Sequence, residues 1–270
     1  MRKILCAGGF LFLYHMSWPQ ASRLLNAGDM GSRPLTIITT ANQPVSLLNY
    51  RVITAAVAGE KKFLLPSYGQ YSLGLAIPEG KNCFGFSVEY GGSSLLSQTL
   101  VHLAYARSLG EKLGLALQFN YQSLSLPGIY GKASAIYARL GGAIQLTQQL
   151  KMAFHITDPF KNLAVKNGET IHSGDYSAGF GYQPSEKIYA GLLVKKQELQ
   201  DPQVIVDLLY DPVSSLRVNG QLDLTNGSAG IGLQWKQKYI QFGLMVAIHP
   251  QLGISPVSIL QFQSMKNKLP

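Results

Sequence analysis

"KLGLALQFNY", residues 112–121, alternates without a slip. Leu113, Leu115, Leu117, Phe119 and Tyr121 share one parity, while Gly114, Ala116, Gln118 and Asn120 share the other. A period of two belongs to a strand with unlike faces, one greasy and one small or polar. The core of a soluble sandwich and a lipid bilayer both reward that pattern, so the rest of the chain has to decide between them.

The alternation recurs from Arg51 onward. "YSLGLAI" (71–77) sets Tyr71, Leu73, Leu75 and Ile77 against Ser72, Gly74 and Ala76, and "FGFSVEY" (84–90) sets Phe84, Phe86, Val88 and Tyr90 against Gly85, Ser87 and Glu89. Similar runs continue to "PVSILQFQ" near the C-terminus and bring the count to about 14. Short turns such as "PEGKN", "SLGEK" and "PSEK" take turns along the chain with connections that are mostly longer, among them "AGEKKFLLPSYGQ" and "DPFKNLAVKNGETIHSGD". Tight turns at one end and longer loops at the other describe an up-and-down meander of the outer-membrane kind. An even strand number puts both termini at the short-turn, periplasmic end.

The second parity then discriminates between the two solvents. In a soluble sandwich it faces water and fills with Lys, Glu, Asp and Arg. In a membrane barrel it faces a lumen, where small and uncharged polar residues are common. Here it is mostly Gly, Ser, Ala, Gln and Asn, with occasional charges such as Arg139, Asp207, Arg217 and Asp223. Charged residues make up only 14% of the chain, against about 25% in a typical soluble domain. Tyr90, Tyr121, Trp235 and Tyr239 fall near strand ends, where interface girdles would place them. The expected fold is all-β: a transmembrane antiparallel up-and-down β-barrel of about 14 strands in a bacterial outer membrane.

The N-terminus fits export. Met1, Arg2 and Lys3 give a positive start, "ILCAGGFLFLYHMSW" an apolar middle, and "PQA" a cleavage point at Ala21. An uncleaved anchor is the competing reading, but Tyr14 and His15 interrupt an apolar run that falls short of the roughly 20 residues a spanning helix needs. No later stretch is apolar enough for such a helix. Cys6 leaves with the signal, so Cys83 is the one cysteine of the mature chain, and neither a disulfide nor a cysteine metal site is expected. The net charge of +9 is scattered over strand ends and turns, without the aromatic-interleaved patch that nucleic acid would require. The sequence thus divides into a signal (1–21), an N-terminal plug or periplasmic segment (22–50), a barrel (51–263) and a periplasmic tail (264–270). Residues 22–50 do not alternate, and plug and tail are equally compatible with them.

Catalytic motifs are missing. There is no H-E-x-x-H, G-x-S-x-G or phosphate loop. His102 and His155 fall on the lumen parity, His172 and His249 in long loops, and Ser97 and Thr99 precede His102 without a spacing that pairs them. No enzyme activity, cofactor or metal is expected. Arg139, Asp207, Arg217 and Asp223 share the inward parity and could form a charged ladder across the lumen: either they pair and close it, the reading favoured because unpaired buried charge is so costly, or they line a wet path.

"TTANQPVSLLNYRVITAAVAGEKKFLLPSYGQYSLGLAIP" resembles the N-terminal region of the PorV/PorQ-like outer-membrane proteins of the Bacteroidota, relatives of the FadL fatty-acid-transporter barrels. The matching positions are Asn42, Val45, Ser46 and Leu47 in "NQPVSLL" and Lys62, Phe63 and Leu64 in "KKFLL". "ITDPFKN" is similar to a family segment that ends a middle strand, with Asp158 where Asn is usual, and "HPQLGISPVSILQF" resembles the closing hairpin. The chain is shorter than many relatives, which implies a reduced hatch and ligand pocket. Phe262 is followed by "QSMKNKLP", whereas such barrels commonly end on an aromatic. The resemblance implies a non-enzymatic subunit of an outer-membrane assembly of the type IX secretion context, with outer-membrane lipids and secretion-complex proteins as partners. The alternative is FadL-like passive uptake of small hydrophobic molecules, and a lipid-modifying barrel enzyme is a distant third.

Overall fold

The computed structural model describes residues 35–93, 96–126, 131–160, 164–166, 174–198 and 200–264. The expected signal, His172 and the tail beyond Ser264 lie outside them. Strands β1 (Thr54–Lys61), β2 (Gly69–Glu79), β3 (Asn82–Gly92), β4 (Ser97–Leu109) and β5 (Leu113–Ser125) form the first part of a meander. It continues through β6 (Lys132–Gln145), β7 (Leu150–Thr157), β9 (Asp175–Tyr182), β10 (Ile188–Gln197) and β11 (Gln203–Val213). The last strands are β12 (Leu216–Asp223), β13 (Ala229–Gln237), β14 (Ile240–His249) and β15 (Gly253–Gln263). A three-residue strand, β8 (Ala164–Lys166), lies in the long loop after β7 and pairs with the outer end of β6.

Apart from β8, each strand pairs antiparallel with the one before it, and β1 pairs with β15 from Thr54↔Gln263 to Glu60↔Val257. The sheet therefore closes into a barrel of 14 strands with no free edge. Closure matters because a strand edge in hydrocarbon leaves N–H and C=O groups with nothing to bond. Every run of alternation read from the sequence occupies one of the barrel strands, although β1 begins at Thr54 rather than Arg51. Gly80 (φ +59°) and Gly110 (φ +75°) supply the left-handed backbone that two of the tight turns need.

The greasy parity faces outward. In β5 Leu113, Leu115, Leu117, Phe119 and Tyr121 are exposed, whereas Gly114, Ala116, Gln118 and Asn120 are buried. Tyr71, Tyr90 and Tyr176 ring the long-loop end of this exposed surface, and Tyr182, Tyr210, Trp235 and Phe262 ring the short-turn end. Exposed leucines between two aromatic belts are the surface a bilayer covers. Leu117 lies mid-strand on that surface, and Leu117→Arg is expected to lower folding stability in lipid vesicles by about 2–4 kcal/mol. The same exchange at the strand end, Leu113→Arg, is expected to cost roughly 0–1 kcal/mol. Urea titrations of vesicle-folded protein check the difference.

The interior is filled from the N-terminal side. Residues 35–50 carry two short 3₁₀ helices, η1 (Ile37–Ala41) and η2 (Pro44–Asn49), and lie inside the barrel. Leu35, Ile37, Ile38, Val45 and Leu47 are buried almost completely. The chain then leaves the lumen at the short-turn end to begin β1.

Candidate functional site

The internal segment explains the small residues on the inward parity of β1–β6. Ala56, Ala76, Ala106 and Ala116 join its apolar side chains in one buried cluster. A Cβ on Gly74 would stand 3.1 Å from Ile37 Cγ2, and one on Gly85 would stand 2.7 Å from Leu47 Cδ1. At Gly114 it would stand 2.6 Å from Leu48 Cδ1, and at Gly141 3.3 Å from Pro44 Cγ. A packed interior tolerates almost no added volume, so these positions are cut to the shape of η1 and η2.

Short 3₁₀ turns leave backbone groups unpaired, and the barrel wall supplies the partners. Leu35 C=O accepts from Gln234 Nε2 (3.2 Å) and Gln241 Nε2 (3.4 Å), and Ile37 N–H donates to Gln261 Oε1 (3.0 Å). At the turn between the two helices Ala41 C=O accepts from Gln118 Nε2 (2.9 Å) and from the Arg139 guanidinium. Gln43 Oε1 lies 2.6 Å from His155 Nδ1, and Lys151 Nζ donates to Asn49 Oδ1 at 3.2 Å. Each such bond, if lost, leaves a buried polar group at a cost of about 1–3 kcal/mol. These lumen amides are functional residues that the sequence presents only as uncharged polar filler.

A buried charged cluster backs this turn. Arg139 Nε donates to Thr157 Oγ1 (2.6 Å), and Arg139 Nη2 lies 3.9 Å from Asp175 Oδ2. Asp175 also accepts from Thr157 Oγ1 (3.0 Å) and meets His155 Nε2 (3.0 Å) and Lys195 Nζ (3.7 Å). Next to it, His102 stands 2.6 Å from Asn120 Oδ1 and 3.8 Å from Glu89, whose other oxygen accepts from Gln70 Nε2 at 3.3 Å. Asp175 is the member that sequence reading leaves in a loop, although it shares the inward parity of Ser177 at the start of β9.

The four charged residues singled out from sequence are distributed over separate places. Arg139 belongs to the cluster just described. Asp207 accepts from Gln221 Nε2 at 2.7 Å. Arg217 makes a forked pair with Asp211 (2.8 and 3.1 Å) beside the turn between β11 and β12. Asp223 accepts from the backbone of Thr225 (2.9 Å) and Asn226 (3.4 Å), which orders the loop into β13.

Ser177, His155 and Asp175 present the side chains of a hydrolytic triad, with Ser177 Oγ 2.8 Å from His155 Nδ1. All three are buried, Gln43 of the internal segment contacts the histidine, and the carboxylate is shared with Arg139, Thr157 and Lys195. A scissile bond has no approach to that hydroxyl, so the trio is read as packing that holds the segment in place.

The buried apolar cluster extends beyond the segment. Tyr189, Leu193, Ile205, Leu209, Met245 and Val257 from β10, β11, β14 and β15 give it an apolar wall. At the long-loop end this wall opens into a cleft of about 40 Å³, with Phe63, Ile205 and Ala247 among its lining. At the short-turn end lies a polar vestibule of about 310 Å³, lined by Tyr50, Arg51, Arg217, Gln234, Gln241 and others. Asn219 and Met245 lie on the wall between the two, facing each other across Gly232, where a Cβ would come within 2.5 Å of both. Neither side-chain polar atom of the buried Asn219 has a hydrogen-bond partner among the described residues. Phe63 (φ 52°) and Leu64 (φ 57°) hold left-handed backbone at the cavity mouth. For a non-glycine residue that conformation costs of order 1–3 kcal/mol and persists where the surroundings impose it.

No protein-family model matches the chain, and no curated protein matches it by sequence. Among solved structures it is similar to a "TodX deltaS2S3 mutant monoaromatic hydrocarbon channel", at 11% identity and a TM-score of 0.65 over 84% of this chain and 94% of that one. It is similar to "CymD monoaromatic hydrocarbon channel", at 11% identity and a TM-score of 0.63 over 89% and 98%. A Pseudomonas aeruginosa FadL homologue gives 9% identity and a TM-score of 0.55 over 87% and 97%. At such identities the likeness establishes the fold, the closed 14-strand antiparallel barrel of outer-membrane channels. It agrees with the outer-membrane location read from the sequence. It lends no support to PorV/PorQ kinship, a Bacteroidota origin or type IX secretion.

Proposed function

We propose that this barrel is a non-enzymatic channel for passive passage of small hydrophobic molecules across the outer membrane. The observation that carries the reading is the division of the lumen. Polar bonds from several strands clamp η1 and η2, while β10, β11, β14 and β15 add inward apolar side chains between an outer cavity and an inner vestibule. An apolar strip lowers the desolvation barrier for an apolar solute, and small ions gain nothing from it. The printed names of the similar structures, hydrocarbon channels among them, point the same way. A secretion-subunit role finds no comparable feature here.

Ala247 tests the reading because it lines the outer cavity and faces inward on β14. Ala247→Trp is expected to fill the path without touching the clamps on residues 35–50. Uptake of toluene by cells carrying the chain as the sole added channel is expected to fall to the level of cells without it. The folded variant is recognised by its heat-modifiable mobility on gels. Wild-type uptake in a folded Ala247→Trp variant would count against the apolar wall as the route.

A further inference from the structure

We propose that the cavity beneath Phe63 binds a small apolar molecule carrying a protonated amine. The inference rests on the passage reading of the same lumen and names the class of solute that its outer site selects. The cavity wall carries two carboxylates, Glu60 and Asp223, against one cationic side chain, Lys62. Asp207 adds a third carboxyl group, bonded to the lining residue Gln221. This local excess of negative charge occurs in a chain whose overall charge is +9.

Glu60 gives the independent sign of a ligand. Its side chain lines the cavity, the residue is 8% exposed, and its Oε2 has no hydrogen-bond partner among the described residues. A buried carboxylate oxygen without a donor is costly. Asp223 Oδ1, by contrast, is engaged by the backbone of its own loop. The Lys62 ammonium stands 5.9 Å from the centre of the Tyr68 ring. Glu60 Oε2 is thus an unfilled acceptor in the cavity wall, and an ammonium supplies both a donor and the opposing charge.

The apolar part of the ligand has its own surface. Ile205, Ala247 and Phe63 line it. The Phe63 amide donates to Ser255 Oγ at 2.9 Å, and its ring stands edge-on to His249 at 6.4 Å, so its strained backbone is held from both sides. A pure hydrocarbon leaves Glu60 Oε2 unsatisfied, and a carboxylate adds like charge.

The test is calorimetric titration of the full chain in detergent with phenethylamine, ethylbenzene and phenylpropionate, which share a body and differ in head group. Phenethylamine is expected to bind at least about tenfold more tightly than either of the others. Glu60→Gln keeps the shape and removes the charge, and is expected to bring phenethylamine to the level of ethylbenzene while leaving ethylbenzene unchanged. Equal binding of the three probes to the wild-type chain, or tighter binding of phenylpropionate, overturns the amine site without reference to any variant. An amine preference that survives in Glu60→Gln overturns the assignment of the site to Glu60. Hydrocarbon uptake that persists without amine preference leaves the passage reading standing, and loss of both uptake and all binding removes the two together.

Discussion

Arg139→Met is expected to release the internal segment and turn a closed barrel into a conducting one. The guanidinium makes three buried attachments at once, to Ala41 C=O, Thr157 Oγ1 and Asp175. Methionine is apolar and unbranched, so the change removes donors and charge more than packing. Removing one partner of a buried ionic network leaves the other uncompensated, at about 3–5 kcal/mol. Asp175 keeps Lys195 and His155, which places the effect at the lower end of that range. The segment, not the barrel, bears the loss, because the strands are held by their own ladders from β1 round to β15. Planar-bilayer recordings are expected to show long open events that the wild-type chain lacks, and protease added on the short-turn side is expected to cut within residues 35–50. An unchanged, silent barrel would mean that Arg139 does not anchor the segment.

The second large effect comes from volume. Gly85→Leu together with Gly114→Leu puts side chains where Leu47 and Leu48 now lie, at points where even a Cβ would be 2.7 and 2.6 Å away. Overpacking of a closed core typically costs about 1–3 kcal/mol at each site. The segment has an exit toward the short-turn end, so expulsion is easier than distortion of the strands. Conductance is expected to rise as for Arg139→Met, with folding of the barrel retained. Gly220→Leu is the matched control, since nothing lies within 4 Å of a Cβ there. It is expected to leave conductance and folding unchanged. A similar rise in the control would trace the effect to leucine in any strand and not to the space occupied by η1 and η2.

The barrel was legible because its solvent writes on every strand. Each crossing must alternate, and the scarcity of charge on the inward parity tells lipid from a soluble core, so "KLGLALQFNY" already carries the fold in miniature. The contents of the lumen were not legible in the same way. Ile37, Ile38, Val45 and Leu47 are neither periodic nor near in sequence to Gly74, Gly85 and Gly114, which make room for them. Gln261 meets Ile37 across 224 positions, a contact that no local pattern encodes. Arg139 could be picked out as an inward charge, but its partner Asp175 is the first residue of β9 and reads as the last residue of a loop. The outer cavity was hidden for a related reason. Glu60 and Phe63, Asp223, and His249 come from three hairpins and converge only when β1 closes on β15.

Passage itself is measured across a membrane whose outer leaflet is lipopolysaccharide, the layer that resists apolar solutes, with the full chain as the only protein. Toluene entry is expected to exceed that of the protein-free membrane and to be lost with Ala247→Trp, while the conductance to small ions stays near zero. Toluene entry no faster than through the protein-free membrane, with the chain correctly folded, would contradict a hydrophobic channel.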